Sequence, residues 1–424
     1  MAESAARNPW SWIPTLYYTQ GIPYVMVVTV SVILYKDLGV PNTQLALYTS
    51  LLSLPWAFKP LWSPFIDIVR TKRWWTYTMQ AAIAAGFAGA AVTLGTPWFF
   101  EASLAFLFLI AFCSSTHDIA ADGFYMLSLS DDRQSFFVGI RSTFFRLAMW
   151  SGEGLFVVFA GLLATRIEDP ATPWILVLGG LAILMAGMSA YHAAVLPAPA
   201  EDAPARREGE SPLQAVWDTL ADFFRKDQIV LAVFFVLLYR LGEGQLVKLA
   251  APFLMDSREL GGLGLSVTDV GVINGVIGLL ALTAGGILGG IAISRHGLKA
   301  WLWPMILIIN LPNLAYWALA RYQPDSFTVI STLVGVEKFG YGFGFAAFLM
   351  YLIYLARGPY KTAHYAFGTA LMAFGMAIPG AISGFVQQAL GYERFFLWVL
   401  ASALPIFVLT PFLRIDPDFG KKKD

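Results

Sequence analysis

Residues 99–129 read FFEASLAFLFLIAFCSSTHDIAADGFYMLSL. Beyond Glu101 the run stays apolar or small as far as Ser115, and it then places two acids, Asp118 and Asp122, four residues apart. A run longer than the about 20 residues that cross a bilayer as a helix, without strict alternation, predicts a spanning helix rather than a strand. On that helix an i, i+4 spacing sets both carboxylates on one face, about 6 Å apart. A charge at the bilayer centre costs about 3 kcal/mol, so each acid needs a partner or a task.

The rest of the chain repeats the pattern. Further apolar runs fall at 10–35, 43–66, 74–96, 135–165 and 172–196, and six more at 229–255, 267–294, 299–320, 326–356, 362–390 and 394–414. Twelve spans with short loops, at about 35 residues each, use up the chain. Of its 424 residues 57% are hydrophobic and 13% charged, with mean hydropathy +0.63, against about 25% charge in soluble proteins. The fold class predicted is all-α and integral to the membrane, with kinks at Pro14, Pro23, Pro55, Pro60 and Pro379. With both ends inside, the outer connections carry only Lys36, Arg166, Arg258, Arg321 and Arg394. The inner ones carry seventeen Lys and Arg, including Arg70, Lys72, Arg73, Arg295 and Lys421 to Lys423. That bias predicts N-in and C-in.

One long polar stretch, residues 197–228, brackets the midpoint of the chain. It divides the sequence into expected six-helix bundles at 1–196 and 229–424, joined by a cytoplasmic linker. Residues 213–224 have amphipathic spacing that suits a membrane surface or a solvated tether equally. Leu38-Gly39-Val40 matches Leu263-Gly264-Leu265 at an offset near 225, Thr43 falls on Thr268, and Arg70 falls on Arg295. These matches point to parallel repeats with a substrate site between them near the midplane.

Several classes of function are excluded or disfavoured. Lys+Arg 28 against Asp+Glu 28 gives no electrostatic case for nucleic acid. Cys113 is alone, and the histidines at 117, 192, 296 and 364 have no metal spacing, so neither metal nor cofactor is expected. HExxH, Gly-x-Ser-x-Gly and Walker A motifs are absent, which leaves no catalytic residues and argues against an enzyme. The first run, after Met1 to Pro9, reads as a retained span rather than a secretory peptide.

The candidate functional residues are therefore the intramembrane polar groups. Desolvation and mutual repulsion favour one of Asp118 and Asp122 taking up a proton. The competing reading pairs one or both with an arginine of the fifth run. Arg146 is the preferred partner there, or the ligand of a substrate carboxylate, because its planar fork suits either. Arg141 and Lys59 sit where they can snorkel, Lys59 having a cavity role as its alternative. His117 points about 100 degrees away and suits a helix-to-helix hydrogen bond better than a relay. In the seventh run Glu243 is a second proton-site candidate, with an ion pair to Arg240 as the simpler reading. Lys248 suits an anionic group or an acid on another helix. Glu337 and Lys338 are neighbours that point apart and need partners elsewhere. Tyr17, Gln20, Gly21 and Tyr24 form an i, i+3, i+4, i+7 stripe able to stack on sugar rings and bond hydroxyls, unless it joins the lipid-facing aromatics.

Trp62-Ser63-Pro64-Phe65-Ile66-Asp67, followed by Arg70, Lys72 and Arg73, resembles the loop signature of the major facilitator superfamily. Gly286 to Lys299, with Gly289, Gly290, Arg295 and Gly297, resembles its second copy without the acid. The resemblance implies a cytoplasmic latch of Asp67, Arg70, Arg73 and Arg295. Gln20-Gly21-Ile22-Pro23, Phe58-Lys59-Pro60-Leu61-Trp62-Ser63-Pro64 and Ser115 to Asp122 look like the AmpG-type muropeptide permeases, as do Lys248 to Phe253 and Gly340 to Ala347. Two departures stand out: His117 stands where relatives usually have Gln, and Gly123-Phe124-Tyr125 follows the second acid. What this resemblance implies is a monomeric, multi-pass inner-membrane importer. It would move a muropeptide by proton-coupled alternating access, with the proton gradient as driving force. Acetyl-CoA, siderophores or amino sugars are alternative cargoes on the same fold. Proton coupling would fall to Asp118, Asp122 and Glu243, and substrate binding to Tyr17, Gln20, Tyr24, Lys59, Arg146, Arg240 and Lys248.

Overall fold

The structure, a computed structural model, describes residues 8–129, 131–203, 221–357 and 361–421, and every regular element among them is helical. In chain order the main helices are α1 (Pro9–Asp37), α2 (Asn42–Leu51), α3 (Lys72–Leu94), α4 (Phe99–Ser128), α5 (Ile140–Ala164) and α6 (Ala171–Val195). They continue as α7 (Ile229–Met255), α8 (Val267–His296), α9 (Leu298–Tyr322), α10 (Phe327–Leu355) and α11 (Lys361–Ser402). Ten helices among the described residues are long and apolar enough to cross a membrane.

Two places depart from the twelve expected runs, each for a local reason. The run at 43–66 is broken: after α2 come Leu54–Phe58, a tight turn at Lys59–Leu61 and Ser63–Val69. Pro55, Pro60 and Pro64 each stand second in one of these pieces, where a missing backbone N–H costs nothing; deep inside a long helix it would break a bond. The runs at 362–390 and 394–414 instead follow one another almost without a loop. Gly391 alone separates them, at φ 70 and ψ 169, a backbone that an L side chain resists.

Contacts group the chain into two compact units. One holds α1, α3, α4, α5 and α6 with the residues from Phe58 onward, and the other holds α2 and α7 to α11. In the first, α3 packs between α4 and α6, and α1 runs along α5. In the second, α8 and α9 pack on α10, while α7 and α2 pack on α11. Lipid supplies no hydrophobic drive between helices, so close approach and interhelical hydrogen bonds must hold them. Small residues provide the approach: a Cβ on Gly285 would stand 2.9 Å from the backbone nitrogen of Phe343, so α8 and α10 meet backbone to backbone. The outward faces remain apolar, with Val92 and Ile183 of the first unit 75% and 77% exposed and Leu280 of the second 68%. That inversion of a soluble surface suits a hydrocarbon solvent.

A buried polar chain ties four helices of the first unit. Thr15 Oγ1 lies 3.0 Å from His192 Nε2, His192 Nδ1 lies 2.9 Å from Gln80 Oε1, and Gln80 Nε2 lies 2.9 Å from His117 Nε2. His117 thus serves as an acceptor between α3 and α4, the helix-to-helix reading. Interhelical bonds of this kind are worth about 0.6 to 2 kcal/mol each. At the start of α3 the carboxylate of Asp202 accepts the backbone N–H groups of Lys72 (2.7 Å) and Arg73 (2.9 Å), a capping partner not evident in the sequence. Before α6, Asp169 accepts from Thr172 N at 3.0 Å, and Thr172 holds its exposed carboxyl below the usual carboxylate range.

Candidate polar sites of the two units

In the first unit the i, i+4 spacing of α4 does bring both acids to one face, and each finds its own cation. Lys59 Nζ forms an ion pair with Asp118, which also accepts from Gln20 Nε2 of α1. Arg141 Nη2 of α5 lies 2.9 Å from Asp122 Oδ1, and Tyr17 OH donates to the same oxygen at 3.1 Å. The Arg141 guanidinium also lies over two rings, 4.5 Å from the centroid of Tyr17 and 5.1 Å from that of Tyr125. Cation–π contact of this sort fixes a planar guanidinium as well as its charge. The cluster is neutral in sum, two acids and two bases, and its side chains remain 18% to 38% exposed.

This arrangement corrects the expected pairing. Arg146 is exposed and forms no ion pair with either acid, whereas Arg141, read as a snorkelling residue, takes Asp122. Lys59 does not snorkel either; it closes on Asp118. Tyr17 and Gln20, two members of the α1 stripe, reach the α4 acids, and Tyr24 packs on Phe145 at 6.1 Å. The polar face of α1 is turned to the acids rather than to lipid.

The latch residues divide differently from expectation. The side chain of Asp67 lies outside the described residues. Arg73 donates to the carbonyls of Ala193 (2.5 Å) and Leu196 (3.1 Å), so it caps the end of α6, where a cation suits the helix dipole. Arg70 is exposed, 5.8 Å from the ring of Trp74, and Arg295 is exposed. Residues 204–220, which include most of the expected amphipathic stretch, also lie outside the described residues.

In the second unit the partners again differ from the simple reading. Arg240 does not pair with Glu243. Its guanidinium bonds Tyr341 OH and stacks 4.9 Å from the centroid of Phe345, while both Glu243 oxygens lack a hydrogen-bond partner among the described residues. Lys338 and Glu337 do not point apart: Lys338 Nζ is 3.3 Å from Glu337 Oε2, because a lysine stem is long enough to fold back along its helix. Lys248 is buried and donates to the Thr49 carbonyl of α2 at 3.1 Å. Asn42, at the start of α2, bonds Asp256 (3.2 Å) and Tyr392 OH (2.8 Å), and Tyr392 OH donates to Asp256 at 2.6 Å. The members of this knot are far apart in the chain, so no local spacing announces it.

Residues 18–384 match the profile of the Major Facilitator Superfamily. The chain belongs to that superfamily. Among curated proteins it is similar to the anhydromuropeptide permease of Escherichia coli K12, 28% identical over 386 residues that cover 89% of this chain and 74% of the permease. It is also similar to a putative transporter, AmpG 4, of Rickettsia conorii, 24% identical over 408 residues and 93% of each chain. The resemblance to AmpG-type permeases read from the motifs is borne out. Among solved structures, a mutant of the nucleoside transporter NupG superimposes with TM-score 0.73 at 16% identity, covering 95% of this chain and 99% of that one. A D-xylose-proton symporter gives 0.69 at 12%, covering 98% and 99%. At such identities the structures speak for the fold alone. This superfamily member is thus a multi-pass membrane protein related to transporters of small molecules.

Proposed function

We propose that this chain imports a cell-wall-derived muropeptide, GlcNAc-anhydroMurNAc with or without its peptide, across the inner membrane together with protons. Two six-helix repeats, residues 1–196 and 229–424, with both ends cytoplasmic, would rock around a midplane site in alternating access. The protein would work as a monomer, with no cofactor beyond the proton gradient. The observation that carries the coupling half of this reading is the α4 acid pair, partly accessible, each carboxylate held by one cation and one α1 side chain. The cargo half is supported by similarity to the E. coli anhydromuropeptide permease along most of the chain.

The chemistry follows from charge balance. A proton arriving at Asp122 neutralises it and weakens its bond to Arg141. The released guanidinium can then face an anionic group of the cargo, which a muropeptide carries as its peptide carboxylates. Arg146, exposed and further along α5, supplies a second fork for the same group. Tyr17, Gln20 and Tyr24 offer ring faces and amide or hydroxyl donors to the sugars. When the proton leaves on the inner side, Asp122 recaptures Arg141 and the cargo is discharged. Lys59 and Asp118 would run the same exchange, with Glu243 as a further coupling residue. Arg240 and Lys248 would add substrate contacts from the other repeat, and Asp67, Arg70, Arg73 and Arg295 would guard the inner side.

Uptake of radiolabelled anhydromuropeptide into proteoliposomes tests this. Accumulation driven by an inside-alkaline gradient and abolished by a protonophore is expected. Folded protein that takes up no muropeptide but accumulates a siderophore, an amino sugar or acetyl-CoA would replace the cargo.

A further inference from the structure

The second unit holds another acid pair, buried more deeply than the first. Glu243 on α7 is 3% exposed and Glu337 on α10 is 1% exposed, and they lie within each other's electrostatic field. Both oxygens of Glu243 and Oε1 of Glu337 lack hydrogen-bond partners among the described residues. The groups around them are few. α10 brings Lys338, at 3.3 Å from Glu337, and α7 brings Arg240, which is committed to Tyr341 and Phe345. α9 brings Tyr316, fully buried, its hydroxyl unpartnered among the described residues and in the field of both glutamates and of Lys338. One turn earlier Asn313 is 1% exposed with both amide atoms likewise unpartnered. α8 closes the side with a wide turn, Ile273–Gly278. A Cβ on Gly278 would come within 3.3 Å of the Lys338 stem, and no charged residue lies in that turn.

A carboxylate buried without a hydrogen bond is among the costliest groups in a protein, and two in one field repel. Lys338 compensates one of them. The other lies in the fields of Lys338 and Arg240 but has no hydrogen-bond donor on either oxygen among the described residues, although the unpartnered Tyr316 hydroxyl stands in its field. A single added proton relieves the excess charge. It neutralises the second acid, removes the repulsion and supplies an O–H that one of the surrounding oxygens can accept.

We propose that Glu243 and Glu337 form a proton-binding site within the second unit, the pair holding one proton, with Tyr316 beside them. Its use as a coupling site rests on the proton-coupled reading above, whereas its occupancy is a property of the resting protein. The site differs from the α4 pair in kind. There each acid is paired with its own cation; here one acid stays neutral until a conformational change brings water or a closer cation to it.

Infrared difference spectroscopy of the full chain in lipid nanodiscs, with carboxyl-labelled glutamate, reads this directly. The wild type should show, at neutral pH, the carbonyl band of a protonated carboxylic acid that shifts with the glutamate label. The band should vanish in Glu243→Gln and also in Glu337→Gln, since each variant removes a neighbour that keeps the proton in place. Tyr316→Phe, which removes only a hydroxyl, should move the band to higher frequency. A wild type with no glutamate band at neutral pH, or a band that survives either Gln substitution, overturns the site, and a band unmoved by Tyr316→Phe counts against it as drawn. Muropeptide uptake can fail without touching this result. Conversely, this result can fail while Asp118 and Asp122 still couple uptake to protons.

Discussion

The acid pair of α4 and the acid pair of α7 and α10 have the same formal inventory, two carboxylates and two cations, and opposite wiring. In the first unit Lys59 and Arg141 each take one acid, and Gln20 and Tyr17 fill a further acceptor site. In the second, Arg240 is drawn to aromatic rings and Lys338 folds onto its neighbour, leaving both Glu243 oxygens without a hydrogen-bond donor among the described residues. Counting intramembrane charges therefore says how many groups must be compensated, and only the orientation of neighbouring helices says which are ionised. A cluster of matched, partly accessible pairs can exchange a proton for a cargo charge. A buried acid without a donor can hold one.

Substitutions put that difference in wiring at risk. The largest effect is expected at Arg141. Arg141→Ala strands Asp122 and should cut gradient-driven uptake by about tenfold or more, equivalent to about 1.4 kcal/mol. Its stability cost should stay near about 1 kcal/mol, below the about 3–5 kcal/mol of a fully buried pair, because both side chains are about a third exposed. Arg141→Lys keeps the charge and loses the stacking on Tyr17 and Tyr125, so only part of the uptake should return. Full activity in the alanine variant would dissolve the distinction between the two clusters.

Next comes Arg146→Gln. Its expected signature is a KM raised by about tenfold with kcat nearly unchanged, the mark of lost uniform binding. Equal losses in kcat and in kcat/KM would move Arg146 into the coupling machinery. Glu243→Gln, a standing mimic of the neutral acid, should lower accumulation only about threefold, since the neutral form is already the resting one. Abolition of uptake there, as complete as for an α4 acid, would make the two pairs equivalent. The smallest effect belongs to His117→Gln. It should cost about one interhelical hydrogen bond, about 0.6 kcal/mol, and leave the pH profile of uptake in place. A shifted profile would turn the buried chain through Gln80 and His192 into a proton path.

Much of this is legible in the residues. Ten spanning helices among the described residues fall on apolar runs, and α1, expected at 10–35, occupies Pro9–Asp37. The prolines of the second run are visible as kinks, but the breaking of the run into three short pieces, each with a proline second, is not. The α4 face follows from period alone. The partners do not, because the planar fork that favours Arg146 belongs equally to Arg141, and period alone does not say how α5 is rotated about its axis. Lys338 defeats the helical-wheel argument through its four-carbon stem, and Tyr316 and Asn313 look like ordinary residues of an apolar run. Asp202, far from Lys72 in the chain, carries no local signal.

Proton coupling at the α4 pair is tested most directly by two assays on Asp118→Asn and Asp122→Asn proteoliposomes: accumulation driven by a pH gradient, and counterflow exchange of labelled for unlabelled muropeptide. Accumulation should fall to background in both variants while counterflow persists, because cargo can still cross once no proton has to be carried. Wild-type accumulation in both variants, with unchanged proton coupling, would contradict the assignment of these two acids.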